Sequence, residues 1–115
     1  MDRKDVLKDR RFATILRELS LEIIENLQGR IEKIILFGSA ARGTISEESD
    51  IDILVVVDER DDEIVKRIED FAFGAMQRLG ILVSPTIIGH DAYVEMKRER
   101  YPMIMNVERE GISLV

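Results

Sequence analysis

The segment Asp50-Ile51-Asp52-Ile53-Leu54-Val55-Val56-Val57 restricts the fold more than any other part of the chain. Its β-branched and aliphatic residues favour an extended strand, and from Ile53 onward both sides of that strand are apolar. Layers of structure must therefore cover it on both faces, which places it inside a sheet. The same run opens on two carboxylates at i and i+2, and alternation directs both to one side of the strand. Neighbouring like charges resist ionising together, and apolar surroundings disfavour the charged form, so the pair calls for a compensating cation. Mg²⁺ suits, since it takes one or two carboxylates together with waters and substrate phosphate oxygens.

The rest of the chain supplies the layers. From about Asp9 to Leu27 a 3.6-residue period sets Phe12, Ile15, Leu16, Leu19, Ile23 and Leu27 on one stripe, with Leu21 opposite, and the helix closes near Gly29. Ile31 to Phe37 reads as a strand ending in a tight turn at Gly38-Ser39, and Thr44 to Ser49 as a loop. After the charged turn Asp58 to Glu63, which reads as a solvated loop and helix start, Asp61 or Asp62 caps a helix. It runs to Leu79 with Ile64, Ile68, Phe71, Ala75 and Leu79 on its apolar stripe, and Gly80 stops it. Ile81 to Ile88 is a third strand, in which Pro85 argues for an edge or a bulge. A charged helix from about Asp91 to Arg100, a break at Tyr101-Pro102, a short helix from Met103 to Arg109 and an apolar terminus complete the chain. The expected architecture is an α/β (α+β) domain, a small mixed sheet with helices packed on it. It is a single domain over 1–115, with an N-terminal helix in 1–30 and the sheet and its helices in 31–115.

Charge narrows the partners. The net charge is −6, and residues 31–70 hold 12 acidic against 5 basic side chains, so the centre of the chain repels a polyanion. A broad nucleic-acid surface is thus disfavoured, whereas a small substrate whose phosphates arrive with divalent cations fits. No apolar run reaches the roughly 20 residues of a membrane span and the N-terminus has no signal-peptide core, so a cytoplasmic location is expected. The absence of cysteine removes thiolate metal sites and thiol nucleophiles. His90, the one histidine, follows Gly89 at a helix start and reads as a capping or surface residue.

The turn after the first strand complements the carboxylates. Gly38 lets the backbone approach a ligand closely, Ser39 offers a hydroxyl and an N–H near a helix start, and both suit a phosphate tail. Arg42 either adds a charge-assisted contact to that tail or pairs with Glu47 or Glu48. Gly38 to Gly43 also fits the opening of a P-loop, but Thr44-Ile45 stands where Lys-Ser/Thr is required.

Gly38-Ser39, ten residues, then Asp50-Ile51-Asp52 on a strand resembles the signature of the DNA polymerase beta nucleotidyltransferase superfamily. The short length, the wording Gly-Ser-Ala-Ala-Arg-Gly and the ending Arg109 to Val115 resemble its minimal nucleotidyltransferase branch, often paired with a separate helical HEPN protein. The resemblance covers residues 31 to 115 and implies a palm-like nucleotidyltransferase fold. It further implies that Ser39 contacts a nucleoside triphosphate, ATP or another, and that Asp50 and Asp52 are the catalytic ligands of Mg²⁺. The implied reaction transfers a nucleoside monophosphate to a hydroxyl acceptor, on the partner protein because so short a chain holds little beyond the nucleotide, in an antitoxin-like pairing.

One departure bears on activity. Active members commonly carry a third carboxylate on a neighbouring strand, and here no Asp or Glu occurs between Asp70 and Asp91. The third strand offers Ser84 and Thr86 on one face instead, and Ser84 is taken as lining the site. Either one well-held metal suffices, or a partner or substrate group completes the site, or turnover is lost. The last case is a catalytically silent subunit that binds nucleotide or restrains a HEPN partner. Homo-oligomerisation stays open.

Overall fold

The computed structural model describes residues 10–27, 29–38 and 50–114. In chain order the elements are α1 (Arg10–Asn26), β1 (Ile31–Phe37), β2 (Ile51–Val57), α2 (Asp62–Leu79), β3 (Val83–Gly89), α3 (His90–Arg98), α4 (Pro102–Glu110) and β4 (Ile112–Ser113). The sheet order is β3-β2-β1-β4. Its two long inner strands, β1 and β2, run antiparallel, and β4 adds antiparallel to β1. β3 lies parallel to β2, as it must when the 18-residue α2 carries the chain back across the sheet between them.

Local chemistry sets the ends of α2. Asp61 has an extended backbone and its Oδ1 accepts from the Ile64 N–H at 2.8 Å, while Gly80 takes the left-handed conformation (φ 68°) and its N–H donates to Met76 O. Two acidic residues of the exposed charged turn also share one cation. Arg30 at the entry to β1 bonds Asp58 Oδ1 at 3.0 Å, Asp61 Oδ2 at 3.0 Å and the Glu59 carbonyl at 2.9 Å. A proline-bearing edge strand is also what the order shows, with Pro85 opposite Ile53 in β3. The short strand β4 goes beyond what pattern predicts: two residues with one half-buried isoleucine carry no period, and only the β1 edge defines them.

Alternation along β2 divides the core in two. Ile51, Ile53, Val55 and Val57 face α1 and α2, where they join Ile15, Leu16, Leu19, Ile23 and Leu27 of the first helix and Ile64, Ile68 and Ala72 of the second. Leu54 and Val56 face the other way, against Ile88, Tyr93, Ile104 and Val107 from β3, α3 and α4. Tyr93 donates to Glu108, which also pairs with Lys97 at 3.1 Å, so α3 and α4 are joined at their polar edge as well. The side chains of Phe12 and Leu79, placed on the apolar stripes by their period, lie outside the described residues. No described helix is long and apolar enough to cross a membrane.

Candidate active site

The second face of β2 carries Asp52, Leu54 and Val56, with Asp50 immediately before the strand, and Leu54 and Val56 are packed against α3 and α4. Val56 and Leu54 are fully buried, Asp52 is half-buried and Asp50 exposed. Among the described residues, the carboxylates stand beyond the two positions that α3 and α4 cover, at the end of an otherwise apolar stripe. This is the position that tolerates them, because solvent reaches their charge while the backbone beneath them is held by β1 and β3.

The flanking strands determine what surrounds the pair. Phe37 of β1 is the register partner of Asp52 on one side, and Ser84 of β3 on the other. Ser84 points to the same side of the sheet as Asp52, and its hydroxyl donates to Asp50 Oδ2 at 3.4 Å, so one serine touches the side on which both carboxylates stand. Gly38 closes β1 with φ 74°, and a Cβ at that position would lie 2.5 Å from Asp52 Oδ2. Any side chain there would displace the carboxylate, so the glycine is required both by its backbone angle and by its neighbour. Asp50, Asp52, Gly38 and Ser84, singled out from sequence, are thus brought together. Ser39 and Arg42, and with them Glu47 and Glu48, lie outside the described residues.

The donor set fits a hard divalent cation: two carboxylates on one side of a strand end, open to solvent, with a hydroxyl beside them. Among the described residues no third His, Cys, Asp or Glu joins them. Register explains why, since the neighbouring-strand positions on this face are Ser84 beside Asp52 and Thr86 beside Leu54. His90 is remote in role: it starts α3, provides no cap, and its Nδ1 lies 2.8 Å from Glu32 Oε2 on the surface.

A feature the sequence did not announce adjoins the pair. Phe37 and Gly38 form one wall of an open cavity of about 170 Å³ whose other wall is Met103, Asn106 and Glu110 of α4. Those three occupy i, i+3 and i+7, one helix face, and that spacing is the signal that could have grouped them.

Known proteins resemble this chain in sequence and in fold. The family described as nucleotidyltransferase domain matches residues 16–109. A Methanocaldococcus jannaschii protein provisionally named protein adenylyltransferase MJ0604 is 33% identical over 96 residues, spanning 84% of this chain and 90% of its own length. Among solved structures, a chain of a toxin–antitoxin complex crystallised with AMP-PNP superposes with a TM-score of 0.58 at 22% identity, over 86% of this chain and 72% of its own. Another, from the complex of the tri-AMPylated Shewanella oneidensis HEPN toxin with its MNT antitoxin, gives 0.51 at 18% identity, over 89% and 71%. At those identities the two structures speak to the fold alone.

Proposed function

The chain belongs to the nucleotidyltransferase domain family, and from that premise we propose that it is a Mg²⁺-dependent adenylyltransferase that modifies a hydroxyl on a helical HEPN-type partner protein, in an antitoxin role. The observation that carries the reading is the placement of Asp50 and Asp52 on one side of the β2 end, with Gly38 and Ser84 against them. The provisional name of the Methanocaldococcus jannaschii relative and the AMPylated HEPN toxin in a structural neighbour support the choice of adenylyl group and partner.

Asp50 and Asp52 are the residues that would hold Mg²⁺, which when bound neutralises phosphate charge and steadies the pyrophosphate as it leaves. The chain's own residues do the positioning. The Ser84 hydroxyl orients the Asp50 carboxylate by donating to it, and Gly38 leaves Asp52 room at the turn. Ser39 and Arg42 are assigned to the triphosphate by family resemblance. In the transfer, the acceptor oxygen bonds to the α-phosphorus, the bond from that phosphorus to the pyrophosphate oxygen breaks, and the hydroxyl proton passes to water or to a basic group of the partner.

Labelled ATP, Mg²⁺ and a HEPN-type partner should yield a covalent nucleotide–protein adduct with the wild-type chain. Asp50→Asn should lower its rate roughly a hundredfold or more, the scale on which loss of one preorganised charge-stabilising group is felt. An adduct formed equally well by Asp50→Asn and Asp52→Asn would remove both residues from the reaction.

A second reading has its own observation. Ser84 stands beside Asp52 where a further carboxylate would complete a two-metal site, which suits a silent subunit that binds nucleotide or restrains its partner without turnover. Mg-nucleotide binding with no adduct on any partner would select it.

A further inference from the structure

On the Mg-nucleotide reading of Asp50 and Asp52, on which this rests, we infer that the site takes a single divalent ion for each nucleotide, and that Ser84 is the residue that sets the number at one. Two-metal sites hold their ions about 3.5–4 Å apart, one towards the attacking oxygen and one towards the leaving oxygen. Two divalent ions at such a separation repel with four times the energy of a unit-charge pair, so the second needs negative ligands beyond those that hold the first.

The sheet around the carboxylates supplies none. On β1 the side chain directly beside Asp52 is Phe37, and the next on that side of the sheet is Ile35. On β3 the corresponding side chains are Ser84 beside Asp52 and Thr86 beside Leu54, with the exposed Leu82 one alternation before them. The lateral neighbours of the pair are therefore all uncharged. Two carboxylates carry two negative charges, which one Mg²⁺ balances, and phosphate oxygens and water complete its shell.

Among these neighbours Ser84 decides the count, because its side chain reaches the pair. Its hydroxyl donates to Asp50 Oδ2 at 3.4 Å, so its one proton serves the carboxylate. The oxygen left over is neutral, and an ion as reluctant to shed water as Mg²⁺ gains little from it. A carboxylate at residue 84 would stand at the same strand position and on the same side of the sheet, with the charge that a second ion requires.

Equilibrium dialysis of the full chain against Mn²⁺ and the nonhydrolysable analogue AMP-PNP measures the count without turnover. Mn²⁺ shares the oxygen preference of Mg²⁺ and is read by metal analysis and paramagnetic resonance. The wild-type chain and Ser84→Ala should each retain one Mn²⁺ per bound nucleotide. Ser84→Asp should double that ratio and introduce the spin-coupled signal of two neighbouring Mn²⁺ ions. Ser84→Glu provides a second carboxylate variant, and far-UV circular dichroism checks that each is folded. A wild-type ratio of two overturns the inference and leaves the proposed function standing. A ratio of one that persists in the folded carboxylate variants removes Ser84 as the residue that sets the count, and overturns it as well. A wild-type chain that retains neither Mn²⁺ nor nucleotide overturns the Mg-nucleotide reading and this inference with it.

Discussion

At the scale of single residues the two positive-φ glycines that flank β1 separate backbone cost from functional cost. A Cβ added at Gly29 (φ 79°) would have nothing within 4 Å of it, whereas the same atom at Gly38 (φ 74°) would meet Asp52 Oδ2. Each Gly→Ala change is expected to lower stability by about 1–2 kcal/mol from the left-handed backbone alone. Only Gly38→Ala should also abolish Mg-nucleotide binding, because it pushes the carboxylate aside. Denaturant titration paired with calorimetry on both variants checks this, and intact binding in Gly38→Ala would contradict the assigned contact. His90 makes a pH prediction. The hydrogen bond and charge of Glu32 raise its pKa above the usual 6.5. The pair therefore stabilises fully below that unfolded-state value, and the contribution is lost as pH rises through the higher folded-state one. Both side chains are about half exposed, so the effect is small. The urea midpoint should decline slightly between about pH 6 and pH 8, and Glu32→Gln should flatten that decline.

At the scale of elements, charge specifies the turn between β2 and α2 closely. Asp61 has a lowered pKa, first from the Ile64 N–H that it caps and then from Arg30, and the Arg30 guanidinium is correspondingly raised by Asp61 and Asp58. The sign follows: this stabilisation is present above the ordinary carboxylate pKa and is lost as pH falls through the depressed one. Asp61→Ala removes the cap and the ion pair together, so its urea midpoint at neutral pH should fall further than that of Asp62→Ala, one residue inside the helix. Equal midpoints would show that the cap contributes nothing. The same turn positions the site at a distance, since β3 reaches Ser84 only if α2 begins and ends where Asp61 and Gly80 place it.

At the scale of the whole molecule, β2 is the shared wall of two cores. Ile53 belongs to the face covered by α1 and α2, and Ile104 to the face covered by α3 and α4, each essentially without exposure. Truncation of either to Ala should cost about 2–5 kcal/mol by leaving a cavity. Because both faces hang on one strand, tyrosine fluorescence from the second face, where Tyr93 is buried, and far-UV circular dichroism should report coincident unfolding in both variants. Separate transitions would show that the α3–α4 layer unfolds independently. Much of this architecture was legible from pattern. The strand boundaries of β1 and β2, the caps of α2 and the edge position of Pro85 follow from period, β-branching and turn chemistry, all local properties. The carboxylate pair was legible for the same reason, as two charges at i and i+2 before an apolar run.

By itself, then, the sequence determined the elements, the doubly covered inner strand and the side of that strand on which Asp50 and Asp52 stand, because each of these depends on spacing within one segment. Tertiary structure alone decided that, among the described residues, the pair stands beyond the two positions that α3 and α4 cover, that Ser84 rather than a carboxylate lies beside Asp52, that Arg30 gathers Asp58 and Asp61, and that α4 forms a cavity with Phe37 and Gly38. Those facts join residues from different elements, and their register is set by how the layers pack, which no single segment encodes.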